Sequence, residues 1–125
     1  MNKKILLLIE DNPLLNGLYR EAFEKAGLEV IFAFDALSGI ELAKKNHPNL
    51  ILLDLLMPGG DGFGVMKEVG KDPSLKNTKI VVLTVVTKDE DKNKAKELGA
   101  IDYLIKSDMK LDQIVKRVLA HLNDQ

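Results

Sequence analysis

Four short stretches of this chain end in residues able to do chemistry. The apolar run Ile5-Leu6-Leu7-Leu8-Ile9 is followed at once by Glu10 and Asp11, and Leu50-Ile51-Leu52-Leu53 by Asp54. Ile80-Val81-Val82-Leu83 runs into Thr84, and a shorter stretch from Ile101 to Ile105 runs into Lys106. If these ends met, three carboxylates, a hydroxyl and an ammonium would share one rim. Carboxylates that close repel one another unless neutralised, and an all-oxygen set suits a hard dication such as magnesium that keeps several waters. A phosphoryl group would then be welcome beside Asp54, with Lys106 neutralising its oxygens and Thr84 donating a hydrogen bond. Asp54 could itself act as a carboxylate nucleophile and form an acyl phosphate.

Taken singly, each residue has an ordinary explanation. Acids at strand ends serve as helix caps or solvated loop residues, Thr84 is a good strand former, and Lys106 is one lysine among many. Only their joint placement is specific, and placement depends on the elements that carry them. The three continuous apolar runs read as strands covered on both faces, as in a parallel sheet. Glu29–Phe34 and Ile101–Ile105 make a fourth and a fifth strand.

Helical periodicity fills the gaps. Asn12-Pro13 reads as an N-cap with proline at the first helical position, Leu15, Leu18, Tyr19, Ala22 and Phe23 form a buried face, and Gly27 stops the helix. Asp35 caps a second helix ending near His47-Pro48. Phe63 to Lys71 and Asp89 to Leu98 are weaker candidates; Gly64 sits awkwardly in the first, and the second has only Ala95 and Leu98 as apolar anchors among charges, which predicts a loosely held helix. Leu111, Ile114, Val115, Val118, Leu119 and Leu122 make a clear amphipathic stripe. His47 and His121 read as helix-end cations without chemistry. Alternating strands and helices give an α/β fold, an open parallel sheet with five helices on its two faces. The order 2-1-3-4-5 is one common solution, and it puts a crevice at the carboxyl ends of strands one and three.

Composition bounds the function. The 125 residues, 46% hydrophobic and 30% charged, are expected to form one domain over 1–125. A net charge of -1 offers no positive field for direct binding of nucleic acid or an anionic membrane. With no cysteine there is no disulfide, thiolate metal site or cysteine nucleophile, which suits a reducing cytoplasm. The five-residue run at the N-terminus is far too short to span a bilayer, and no cleavage pattern follows it.

The segments ILLLIED (5–11), LDLLMPGGDG (53–62), KIVVLT (79–84) and GAIDYLIK (99–106), in this order and across essentially the whole chain, resemble the receiver domain of bacterial two-component response regulators, chemotaxis-type single-domain members included. The resemblance implies a flavodoxin-like doubly wound fold and makes Asp54 the phosphoacceptor. It implies a magnesium site of Glu10, Asp11, Asp54 and the backbone carbonyl of Leu56. Thr84 would be the hydroxyl that moves toward the phosphoryl group, Lys106 the cation that bridges to it, and Tyr103 the aromatic switch. A sensor histidine kinase or phosphotransfer protein would be the phosphodonor. A downstream effector protein or domain would read the face made by the fourth helix, fifth strand and fifth helix. Such a chain would be a phosphorelay switch with slow self-dephosphorylation, not a turnover enzyme; the competing reading is a receiver-like interaction module that works without phosphorylation.

Four positions depart from the usual pattern. Glu10 replaces the commoner Asp, and Gly60 stands where a larger apolar residue is typical. Val85 follows Thr84 in place of Ala or Gly, adding bulk that should slow both phosphorylation and hydrolysis. Ser107 follows Lys106 in place of Pro, so the bond between them is either trans or a costly cis. A nucleotide-binding relative of the fold would need a phosphate-cradling loop where Glu10-Asp11-Asn12 would repel one. A haloacid-dehalogenase-type phosphatase would need a second Asp where this chain has Leu56.

Overall fold

The computed structural model describes residues 3–57 and 62–123. Strands β1 (Ile5–Ile9), β2 (Glu29–Ala33), β3 (Leu50–Leu53), β4 (Lys79–Thr84) and β5 (Ala100–Ile105) form one sheet in the order β2-β1-β3-β4-β5. All four pairings are parallel. Helices α1 (Pro13–Lys25), α2 (Ala36–Asn46), α3 (Gly62–Lys71), α4 (Asp89–Glu97) and α5 (Leu111–Asn123) connect or follow them, with 3-10 turns at Pro73–Leu75 and Lys106–Asp108.

The continuous apolar runs are explained by the two cores they feed. Leu7, Ile9, Ile51, Leu53 and Val82 pack with Ala43, Val65, Met66, Val69 and Ala95, so α2, α3 and α4 cover that face. Leu6, Leu8, Leu50, Leu52, Val81, Leu83 and Leu104 pack with Tyr19 and Phe23 of α1 and with Ile114, Val118 and Leu122 of α5. Each of these large side chains contributes about 1.5–3 kcal/mol by leaving water. Strand alternation carries the two phases past the strand ends: Glu10, Asp54 and Lys106 follow Leu8, Leu52 and Leu104 on the α1/α5 side, whereas Thr84 and Tyr103 share the phase of Val82.

Capping follows the sequence expectations. Asn12 Oδ1 accepts from Leu15 N at 3.0 Å and Asp35 Oδ1 from Ser38 N at 2.8 Å. Two expectations need correction. The apolar spacing of α1 puts Leu18 on one face with Tyr19 and Phe23, yet Leu18 is 46% exposed; the inner stripe is Asn16, Tyr19 and Phe23, because Asn16 finds hydrogen-bond partners at the strand ends. Phe34 lies beyond β2, which ends at Ala33. In α4 only Ala95 is buried, as the charge-rich sequence predicts, and Lys94 Nζ lies 4.4 Å over the Phe63 ring of α3. The register of β5 slips between Ile80↔Ala100 and Val81↔Asp102, leaving Ile101 as a bulge.

Helix α3 contains Gly64, as expected, and starts at a second glycine, Gly62, whose surroundings are tight. A Cβ there would lie 2.6 Å from the Asp54 carbonyl oxygen and 2.9 Å from Leu55 Cα, so the helix start presses directly on the segment that carries Asp54. Gly60 falls outside the described residues. Among the described residues no helix is long and apolar enough to cross a membrane.

Candidate functional site

The crevice forms where the winding reverses, between the ends of β1 and β3. Asp54 N donates to the Ile9 carbonyl at 3.2 Å, which sets Asp54 beside Glu10. Glu10, Asp11 and Asp54 each bring a carboxylate oxygen within 4.8 Å of the others. Glu10 and Asp54 are buried and Asp11 half-buried, so the cluster opens to solvent on the Asp11 side. Lys106, delivered by the turn after β5, bridges two of the three: its Nζ donates to Glu10 Oε1 and, at 2.8 Å, to Asp54 Oδ2. Asn12 N holds Glu10 Oε2 at 3.0 Å, and Leu56 N holds Asp54 Oδ1 at 3.1 Å.

Electrostatics follow from that packing. Burial pushes the Glu10 carboxyl above its ordinary value, only partly offset by the bonds from Lys106 and Asn12, and the Asp54 charge adds to the rise. Burial alone would lower the Lys106 ammonium, but the hydrogen bonds to Asp54 and Glu10 and their negative charges outweigh it and hold it above its ordinary value. The ammonium thus stands in for positive charge that the three carboxylates require. The donor set is all oxygen with one open side, which fits a hard divalent cation that retains water.

Thr84 ends β4 fully buried, its Oγ1 accepting from Val86 N at a long 3.4 Å. Tyr103 packs against the α2–α4 core, and its hydroxyl donates to the Val86 carbonyl at 2.8 Å, so the two residues meet on one short segment after β4. Burial raises the Tyr103 phenol to about 12, with the charges of Asp91 and Asp54 adding. Val85 between them is 55% exposed. There is no cis peptide bond among the described residues, so Lys106-Ser107 is trans. His121 is more than a helix-end cation: its Nε2 lies 2.7 Å from Asp102 Oδ2, which also accepts from Arg117 at 3.0 Å and so ties α5 to β5. His47 does cap α2, with φ of 48°.

The sequence reading missed Asn16. It is fully buried, donating from Nδ2 to the carbonyls of Glu10 at 3.0 Å and Ala33 at 3.3 Å, while Oδ1 accepts from Arg20 Nε at 2.9 Å. Its signal was present: a polar residue in helical phase with Tyr19 and Phe23.

A family model described as the response regulator receiver domain matches residues 6–119. The chain belongs to the response regulator receiver family. As a receiver it takes part in two-component signalling, and its acidic cluster stands where the fold brings strand ends together. Among curated relatives, a probable transcriptional regulator ycf27 of Porphyridium aerugineum is 33% identical over 125 residues, covering 98% of this chain and 51% of that protein. The polar-differentiation response regulator DivK of Brucella ovis is 27% identical over 121 residues, covering 97% of this chain and 98% of DivK. This chain therefore spans about half the length of the first of these relatives and nearly all of the other. Among solved structures, the chemotaxis protein CheY4 of Vibrio cholerae has a TM-score of 0.89 at 27% identity, covering 95% of this chain and 98% of that one. A putative response regulator of Chloroflexus aurantiacus has a TM-score of 0.88 at 29% identity, covering 98% and 100%.

Proposed function

We propose that this receiver, acting as one domain over residues 1–125, takes a phosphoryl group on Asp54 from a histidine kinase or phosphotransfer protein and changes its partner-binding face in response. The observation that carries this reading is the meeting of Glu10, Asp11 and Asp54 within 4.8 Å, with Lys106 already bonded to Asp54. In the reaction one Asp54 oxygen forms a bond to phosphorus as the bond to the donor histidine nitrogen breaks. That nitrogen keeps the electron pair and takes up a proton, leaving an acyl phosphate. Magnesium, held by Glu10, Asp11, Asp54 and the Leu56 carbonyl, would neutralise the phosphoryl oxygens.

The chain's own residues do the rest. Lys106 stays within reach of the site and turns its ammonium hydrogen bonds from the carboxylates to the added phosphoryl oxygens, keeping its charge. Among the described residues Thr84 Oγ1 holds only a long bond from Val86 N, so its hydroxyl can donate to the phosphoryl group at little cost. Tyr103, anchored on the Val86 carbonyl, is displaced or locked as that segment moves. The change is read on the face of α4, β5 and α5, where a groove of about 250 Å³ is lined by Lys92, Ala95, Lys96, Ile101 and Tyr103. Water later attacks the phosphorus, the bond to the Asp54 oxygen breaks, and inorganic phosphate leaves with the carboxylate restored, so the chain is a slow switch rather than a turnover enzyme. It works in the cytoplasm, through protein contacts, without touching nucleic acid or membrane itself.

Intact-mass spectrometry tests the reading. With a small acyl phosphate donor and magnesium the parent should gain one phosphoryl group; Asp54→Asn, or chelation of the metal, should abolish the gain. Persistent labelling of Asp54→Asn would refute the assignment, and an unlabelled parent would favour a module that works without phosphorylation.

A further inference from the structure

Four polar groups behind the acidic cluster form a chain with no freedom in its polarity. The carbonyls of Glu10 and Ala33 can only accept, and the Arg20 guanidinium can only donate. Asn16 lies between them, so its amide nitrogen must face the two carbonyls and its oxygen must face Arg20. Reversing the amide would set oxygen against both carbonyls and nitrogen against Arg20 Nε, losing three bonds in a site without solvent. Arg20 is itself held from outside, its guanidinium carbon 3.8 Å from the centre of the Phe32 ring, and Phe32 meets Phe34 edge-on at 5.8 Å. The Ala33 carbonyl also accepts from Glu10 N at 3.1 Å. The turn from which Glu10 and Asp11 project is thus tied to the end of β2 directly, by the Glu10 N bond, and a second time through one buried amide that also anchors it to α1.

We propose that Asn16 is a positioning residue for the metal-binding carboxylates, and that Arg20, stacked on Phe32, acts through it by fixing the amide's orientation. The inference rests on the metal reading of the cluster given above. Residues that orient ligands from behind typically govern metal affinity by ten- to a hundredfold.

The test is magnesium affinity, measured by calorimetry well below the melting temperature of every variant, for the parent, Asn16→Ala, Arg20→Met and Arg20→Gln. Both Arg20 variants lose a positive charge near an acidic cluster, which by Coulomb attraction alone should tighten magnesium binding. Only Gln keeps an N–H able to reach the Asn16 oxygen. Positioning therefore predicts that Asn16→Ala and Arg20→Met bind magnesium about tenfold more weakly, while Arg20→Gln binds within about twofold of the parent or more tightly. The Arg20 pair decides the matter even where Asn16→Ala fails to fold. Equal affinities in Arg20→Met and Arg20→Gln would overturn the proposal. So would a parent-like Kd in a folded Asn16→Ala whose melting temperature has dropped, since that is the mark of a purely structural amide. A parent with no saturable magnesium binding would instead overturn the metal reading, and this inference with it.

Discussion

Replacing Lys106 by Met keeps most of its stem but removes the one cation, among the described residues, that is paired with two buried carboxylates. The exposures are 13% for the Lys106 side chain, 2% for Glu10 and 7% for Asp54, so the loss leaves two carboxylates largely out of water with no counter-charge. Removing one partner of a buried ion pair costs roughly 3–5 kcal/mol. The lower end applies, because the cluster opens to solvent beside Asp11, giving a loss of about 3 kcal/mol in metal-free buffer at pH 7.5. For a domain of this size that is a fall in melting temperature of roughly 12 °C. Magnesium at a hundredfold excess over its dissociation constant returns about 2.7 kcal/mol. The variant should gain more from the ion than the parent, in which the ammonium must first be displaced from Glu10.

Acid should have the same restoring effect. The Glu10 carboxyl already lies above 4.5 through burial, and loss of the Lys106 bond raises it further. A carboxyl raised in the folded state contributes stability that is full below its unfolded value and is lost as pH rises through its folded value. The deficit of Lys106→Met relative to the parent should therefore shrink as pH falls from 7.5 toward 5. Differential scanning calorimetry with and without magnesium across that range measures all three effects. Melting of the metal-free variant within about 2 °C of the parent, with an equal response to magnesium, would refute the reasoning.

Gly62→Ala should destabilise by about 1–3 kcal/mol and slow phosphorylation, since its Cβ would collide with the Asp54 carbonyl; Gly70→Ala in the same helix, with nothing within 4 Å, should instead stabilise by about 0.5–1 kcal/mol. Chemical denaturation and phosphorylation rates compare the two, and equal effects would contradict the close approach at Gly62. The Tyr103 phenol, raised to about 12, contributes stability that is full below pH 10 and lost as pH rises through about 12. In an ultraviolet titration of the folded protein, Tyr103→Phe should remove the phenol that ionises near pH 12 and leave Tyr19, which burial also holds above its ordinary value; a Tyr103→Phe difference spectrum that instead titrates near pH 10 would contradict this. Val85→Ala should speed both phosphorylation and hydrolysis several-fold by clearing β-branched bulk beside Thr84, and unchanged rates would show that Val85 gates nothing.

The strands were legible because a sheet buried on both faces leaves runs without alternation, as in Leu6 to Ile9 and Leu50 to Leu53. The placement of Glu10 and Asp54 was legible too, each lying directly after such a run, and Lys106 follows the shorter, half-buried fifth strand. What sequence could not supply was the partner of each group. Spacing does not show that the longer Glu10 side chain and Asp54 share one ammonium, or that Asp102 is taken up by Arg117 and His121. The rotation of α1 was misread because Leu18 looks like a core residue and Asn16 does not, whereas two carbonyls at the strand ends make the polar residue the better one to bury. Likewise Gly62 matters through its contact with Asp54, a long-range closeness that α3's own sequence does not encode.

The central claim is that Asp54 becomes an acyl phosphate. Borohydride reduction of the phosphorylated protein converts such a residue to homoserine, which tandem mass spectrometry locates in the sequence. The account predicts homoserine at position 54 alone, dependent on magnesium during phosphorylation and absent without the donor. Homoserine at position 11 or elsewhere, or none despite a phosphoryl mass gain, would contradict it.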